Sequence, residues 1–178
     1  MEEYAYVLDY LEEGVNFAKK ESICYAVGDD EFKLFELVPK SGVIINIDDR
    51  VYIGKDPALR KEIDHVKRRI GYEDLTGTAV KELEFVVREI VEKNEQKYVE
   101  FYYTAGALSI KKHTLEELPG LGKKSLNIIL EERKKGPFKD FEDLATRTAI
   151  KTPEKLIVAR ILLEIEDPER KRYLFVSR

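Results

Sequence analysis

Tryptophan is absent from this chain of 178 residues, and glutamine (Gln96) and cysteine (Cys24) occur once each. One thiol excludes an internal disulfide framework and fits a reducing compartment, where such a residue is most often a small buried apolar group. The two histidines, His65 and His113, stand far apart, and no Cys/His cluster has metal-ligand spacing, so no metal is expected. No apolar run approaches the length of a membrane span, and the first residues lack the charged-then-apolar order of a secretion signal. These absences describe a soluble, cytoplasmic chain. A Walker A loop, a dinucleotide fingerprint, a nucleophile elbow and a zinc-protease helix are missing too. Carboxylates are plentiful, but none is singled out as a catalytic pair. Asp29-Asp30 and Asp48-Asp49 fall in turn-forming surroundings, where Asp is common for local hydrogen bonding. The expectation is a non-enzymatic protein with no catalytic residue and no cofactor.

Charge is what the chain has in excess: 37% of residues are charged, with a net charge of −4. That composition, poor in amides, leans towards a thermophilic origin. The sign is distributed unevenly. Residues 1–104 carry 15 basic and 23 acidic side chains, a net of −8, whereas residues 105–178 carry 16 and 12, a net of +4. A basic C-terminal part suits an anionic partner, and an acidic N-terminal part suits a basic one.

The first part reads as β structure. Strand-favouring runs occur at residues 4–10, 22–27, 32–37 and 50–54, and the second and third read as a hairpin turning at Gly28-Asp29-Asp30. Val43-Ile44-Ile45 leads into a further turn at Asp48-Asp49. Residues 65–72 fit either a fifth strand or a short helix, because Ile63, Val66 and Ile70 have helical spacing. Short strands separated by turns predict a small closed barrel, OB-like with five strands, an SH3-like barrel fitting nearly as well. Tyr6, Phe35 and Tyr52 belong to its core or, less simply, to a base-stacking surface.

From Thr76 the period changes. Val80, Leu83, Val87, Ile90, Val91, Tyr98 and Phe101 recur at helical spacing, which predicts one long amphipathic helix ending at Gly106. No strand is expected from there to Glu166. The short apolar tail Tyr173-Leu174-Phe175-Val176 could add a strand to the barrel or pack on the helices. The predicted fold class is α+β: a β-barrel over residues 1–75 followed by an all-α domain over residues 76–178.

The most informative stretch runs from Thr114 to Leu130. Thr114 and Glu117 have capping-box spacing, so a short helix starts there, and Pro119-Gly120 stop it. Leu121 is a lone apolar residue between two glycines and plugs the gap between the flanking helices. A second helix starts at about Lys123, with Leu126, Ile129 and Leu130 on its buried face. Its first amides have no partner within the helix, the turn before them carries few side chains, and the helix dipole adds partial positive charge. A phosphate oxygen fits there, beside Lys123 and Lys124.

This segment resembles the helix-hairpin-helix motif of many DNA- and RNA-handling proteins, through Leu115, Leu118, Gly120, Leu121, Gly122, Ser125, Ile128 and Ile129. The resemblance implies contact with the sugar-phosphate backbone without reading of bases. Gly136-Pro137-Phe138, followed by Phe141 and Leu144, is similar to the connector between tandem hairpins. The second unit then departs from the pattern. Thr148-Ala149-Ile150-Lys151-Thr152-Pro153 contains no glycine, so the second hairpin is degenerate and its phosphate grip weak or lost. Over nearly its full length the chain also resembles an uncharacterised archaeal family of predicted RNA-binding proteins, through residues 35–40, 50–55 and 64–70.

The expected function is sequence-independent nucleic-acid binding, to RNA rather than DNA. Gly120, Gly122, Lys123 and Lys124 are the primary contacts, with Ser125 in the same site and Leu121 as structural support; Lys112, Arg133 and Lys134 are secondary. Lys67, Arg68 and Arg69 could extend the phosphate track. Two alternatives stand beside this reading. One is a protein–protein adaptor whose acidic barrel meets a ribosomal or other basic partner. The other is a repair or nuclease component that uses the hairpin for grip. No membrane partner is expected.

Overall fold

The computed structural model describes residues 1–12 and 21–178. Five strands come first: β1 (Tyr4–Leu11), β2 (Ile23–Gly28), β3 (Leu34–Pro39), β4 (Arg50–Tyr52) and β5 (Ile63–Ile70). Five helices follow: α1 (Gly77–Lys93), α2 (Glu95–Thr104), α3 (Lys123–Arg133), α4 (Phe141–Thr148) and α5 (Pro153–Glu166). The fold class is α+β.

The strands form one antiparallel curled sheet, in the order β4-β1-β2-β3-β5. The hairpin expected from the second and third runs is present, with Ala26 opposite Phe35. Residues 63–70 resolve as strand: their apparent helical period comes from three β-branched residues, and cross-strand pairing with β3 decides the matter. The expected closed barrel is not formed. Among the described residues β4 and β5 are not paired with each other, so the sheet is a half-barrel with two outer strands. β4 is only three residues long, too short to close a ladder. Val43-Ile44-Ile45 forms no strand, although Ile45 is buried.

One face of the curl holds a core of Ala5, Val7, Cys24, Ala26, Phe35, Leu37, Ile45, Val51, Ile53 and Ile63. Burial there pushes the Cys24 thiol up to about 12, so this cysteine is a packing residue and not a nucleophile. Tyr6, Phe35 and Tyr52 are all buried, which removes them as stacking platforms.

The expected long helix is two. Asn94 interrupts it with φ −114° and ψ 36°. Its amide is shared between the Ile90 and Val91 carbonyls, and its side chain donates to the Ile90 carbonyl at 2.8 Å. The tail adds no strand. The amides of Leu174, Phe175 and Val176 converge on one carboxylate oxygen of Glu164, at 2.9, 3.0 and 3.1 Å.

By contact the chain divides into two compact units. Residues 1–86 and 163–178 make the first, and residues 87–162 make the second. The boundaries fall inside α1 and α5, whereas the change of composition falls at residue 76. The core of the second unit contains Tyr98, Tyr102, Leu115, Leu118, Ile129, Leu144, Ile157 and Ile161. Among the described residues no helix is long and apolar enough to cross a membrane.

Candidate nucleic-acid interface

The predicted glycine turn lies in the second unit. The short helix expected before it is a single 3-10 turn, Thr114–Glu117. The cap is His113, not Thr114: the His113 Nδ1 accepts from the Leu115 amide at 3.1 Å. This imidazole is 8% exposed. Burial first, and then the positive charge of Arg133, lowers its pKa below the usual value, although Glu116 opposes the shift. It stays a neutral acceptor at neutral pH. Leu115, Leu118 and Leu121 are all buried, so Leu121 does fill the gap between its flanking elements.

The two glycines have different reasons. Gly120 sits at φ +88°, a conformation open to glycine and costly to other residues. Gly122 is the N-cap of α3 in ordinary extended geometry, φ −92° and ψ 179°, with no side-chain cap. A Cβ placed on Gly122 would meet nothing within 4 Å, so this end of α3 faces open space. The Gly122 carbonyl accepts from Leu126, the first bond of the helix. The amides of Lys123, Lys124 and Ser125 precede that bond and have no acceptor within the helix.

The cations around this end are not equivalent. Lys124 is exposed and has no acidic partner among the described residues. The Lys123 ammonium is 76% exposed, 3.5 Å from Glu116, and it donates to the Lys111 carbonyl at 3.3 Å. A pair with its ammonium in solvent and 3.5 Å of separation is weak and exchanges readily for a phosphate. Lys112 pairs with Glu117 at 2.9 Å, and Lys134 with Glu131 at 2.9 Å. Arg133 donates to the carbonyls of Tyr102 (3.4 Å) and Ala105 (2.7 Å), finishing α2. Lys67, Arg68 and Arg69 lie on β5 in the first unit. Lys67 meets Glu21 at 3.1 Å, Arg68 meets Glu36 at 2.6 Å, and Arg69 lies over the Phe35 ring at 5.9 Å.

Two arginines that sequence reasoning passed over brace the elements on either side of α3. Arg160 of α5 is 2% exposed and donates to both the carbonyl and a carboxylate oxygen of Glu117, each at 3.2 Å. Arg147 of α4 donates to the carbonyls of Glu132 (2.7 Å), Gly136 (3.0 Å) and Pro137 (2.9 Å), and its guanidinium lies 4.5 Å from the Phe138 ring centre. It satisfies the last carbonyls of α3 and the connector together. Only their place on the apolar faces of α4 and α5 could have hinted at this.

The segment between α4 and α5 has a different character. Ala149 takes the left-handed conformation, φ +60°, without being glycine. Pro153 is the first residue of α5 and has no amide hydrogen to offer. A cavity of about 350 Å³ beside it is lined by Glu92, Glu95, Glu142 and Glu154 against the one cation Lys151, a net sign that does not suit a phosphate. Among the described residues no group of His, Cys, Asp and Glu is arranged to hold a metal.

Comparison with known proteins adds family and fold. A family model described as "Protein of unknown function (DUF655)" matches residues 1–177. An uncharacterized protein of Methanocaldococcus jannaschii is 43% identical over 177 residues, which span 99% of this chain and 80% of that one. The crystal structure of the Archaeoglobus fulgidus protein Af1531, also described as DUF655, has a TM-score of 0.91 at 43% identity, covering 99% of this chain and 100% of that one.

Proposed function

The chain belongs to the DUF655 family, and from its own site we propose that it binds nucleic acid through the sugar-phosphate backbone, without cutting or modifying it. One observation carries this reading: the N-terminus of α3 has no side-chain cap, opens onto empty space at Gly122, and is flanked by exposed Lys123 and Lys124. A phosphate oxygen takes the place of the missing cap. It accepts from the first amides of α3 and draws on the helix dipole. Such a contact recognises the repeating backbone and no base edge, so binding is independent of sequence.

In this reading the half-barrel is OB-like, and the second unit is a tandem helix-hairpin-helix of which the first hairpin alone grips. Gly120 and Gly122 give access, and Lys123, Lys124 and Ser125 make the contact. Leu121 supports the turn from within, and Lys112 and Lys134, whose ammonium groups are exposed, turn from Glu117 and Glu131 to phosphates. Arg133 leaves the contact set because α2's carbonyls already hold it. Arg68 leaves it because the buried Glu36 carboxylate holds it at 2.6 Å. RNA is the preferred partner, on the strength of the small sheet and the resemblance to predicted RNA-binding proteins.

Fluorescence anisotropy with labelled single-stranded RNA, duplex RNA and duplex DNA tests the proposal. The double variant K123E/K124E should lose at least tenfold in affinity, and the slope of log affinity against log salt should fall by about 2, while circular dichroism stays unchanged. Equal affinity of the double variant and the parent would refute the contact surface. A second reading draws on the net charge of −8 over residues 1–104: an adaptor that docks on a basic protein. Stoichiometric copurification with such a protein after nuclease treatment would favour it.

A further inference from the structure

Just before the glycine turn the chain makes a small, tightly tied hairpin. The Thr114 amide donates to the Gly106 carbonyl at 3.0 Å, Ala107 and His113 form an antiparallel bridge, and the Leu108 amide donates to the Lys112 carbonyl at 2.8 Å. Ser109 closes the tip. Its amide donates to the Lys112 carbonyl at 3.0 Å, and its hydroxyl oxygen accepts from the amides of Lys111 (3.3 Å) and Lys112 (3.1 Å). Buried His113 roots the hairpin in the 3-10 turn, and the Lys123 ammonium ties its Lys111 carbonyl to the start of α3. A tip with this many hydrogen bonds holds its shape without help from its apolar side chains.

One of those side chains has no packing role. Ile110 is 106% exposed, and Leu108 at its flank is 36% exposed. Leaving a whole isoleucine in water forgoes about 2–3 kcal/mol of burial, and any polar residue would serve the turn as well. The two residues that follow are Lys111 and Lys112.

We propose that Ile110 is a wedge, which enters the stack between neighbouring bases of the nucleic acid whose backbone α3 holds. The inference rests on the backbone-binding reading and adds a distortion to it: one base step is opened while the adjacent phosphates stay gripped. Apolar side chains from rigid tips open base steps in this way, and flanking cations pay the electrostatic part of the approach. A protein partner fits the tip less well. A stable interface needs about 800 Å² from each side, and this tip offers two apolar side chains followed by two lysines.

The test uses the full chain with an RNA stem-loop and a DNA duplex that carry 2-aminopurine at successive positions, whose fluorescence rises on unstacking. The parent protein should raise the signal at one or two positions. I110S should bind about fivefold more weakly with an unchanged salt slope and without that rise, and I110L should restore both. Ile110 is wholly exposed, so I110S keeps the fold, which circular dichroism checks. Binding by the parent with no fluorescence rise on either probe overturns the wedge and leaves backbone binding standing. Loss of a self-association in I110S, seen by light scattering, with unaltered nucleic-acid signals also overturns it, because the tip is then a protein contact. An undiminished K123E/K124E overturns the backbone reading itself, and the wedge with it.

Discussion

At the scale of single residues the glycine turn separates stability from binding. Gly120 is needed for its backbone conformation, since φ is +88° and a Cβ there would only touch Leu156 at an ordinary 3.5 Å. G120A should therefore lower stability by about 1 kcal/mol or more, read as a shift of the denaturation midpoint at constant slope. Gly122 is needed for what it leaves open. G122D supplies the missing cap in a backbone geometry that accepts one, and should stabilise α3 by about 0.5 kcal/mol while abolishing nucleic-acid binding. Thermal melting and anisotropy on the same variant would reveal these opposite signs. A cap that raised stability and left binding intact would remove the phosphate from α3.

His113 makes a prediction about pH. Its folded-state pKa is depressed, so the unfolded chain takes up the proton first. The stability this residue contributes is whole above about 6.5, the usual imidazole value, and is lost as pH falls through the folded-state value. Melting temperature should decline on acidification below that point, and H113N, which can still accept from the Leu115 amide, should flatten the decline.

Among the elements, the strands were legible because alternation and turn chemistry are local. Residues 4–11, 23–28 and 34–39 stand close to where the runs put them. Closure of the sheet was not legible, since it depends on whether β4 and β5 meet, which no run of residues encodes. The break at Asn94 escaped for another reason: Tyr98, Val99 and Tyr102 continue the buried period across it, and the interruption comes from a side chain bonding back to Ile90. In the candidate site the glycines, Leu121 and the two lysines could be read directly. The clamps Arg147 and Arg160 could not, because a basic residue on an amphipathic helix is normally solvated. Arg147 joins α3, the connector and α4 by hydrogen bonds to three carbonyls. Lysine has no planar fork to reach all three, so R147K should cost about 1–2 kcal/mol in a urea titration and weaken binding only as far as α3 loosens.

For the molecule as a whole, the C-terminal residues belong with the sheet. Ser177 donates to the Glu31 carbonyl at 3.0 Å, and Glu164, 2% exposed, gathers the three tail amides. E164A should release the tail, with faster proteolysis after residue 170 and little change in protection of residues 87–162. Equal cleavage rates in parent and variant would show that the tail is held by other means.

Because residues 163–178 complete the compact unit begun by residues 1–86, that unit cannot be finished until those residues have been made. All five strands leave the ribosome early and then wait through the synthesis of some ninety residues for their closing segment. The inserted helical unit has no such delay. Vectorial synthesis therefore lets the middle of this polypeptide mature before its beginning does.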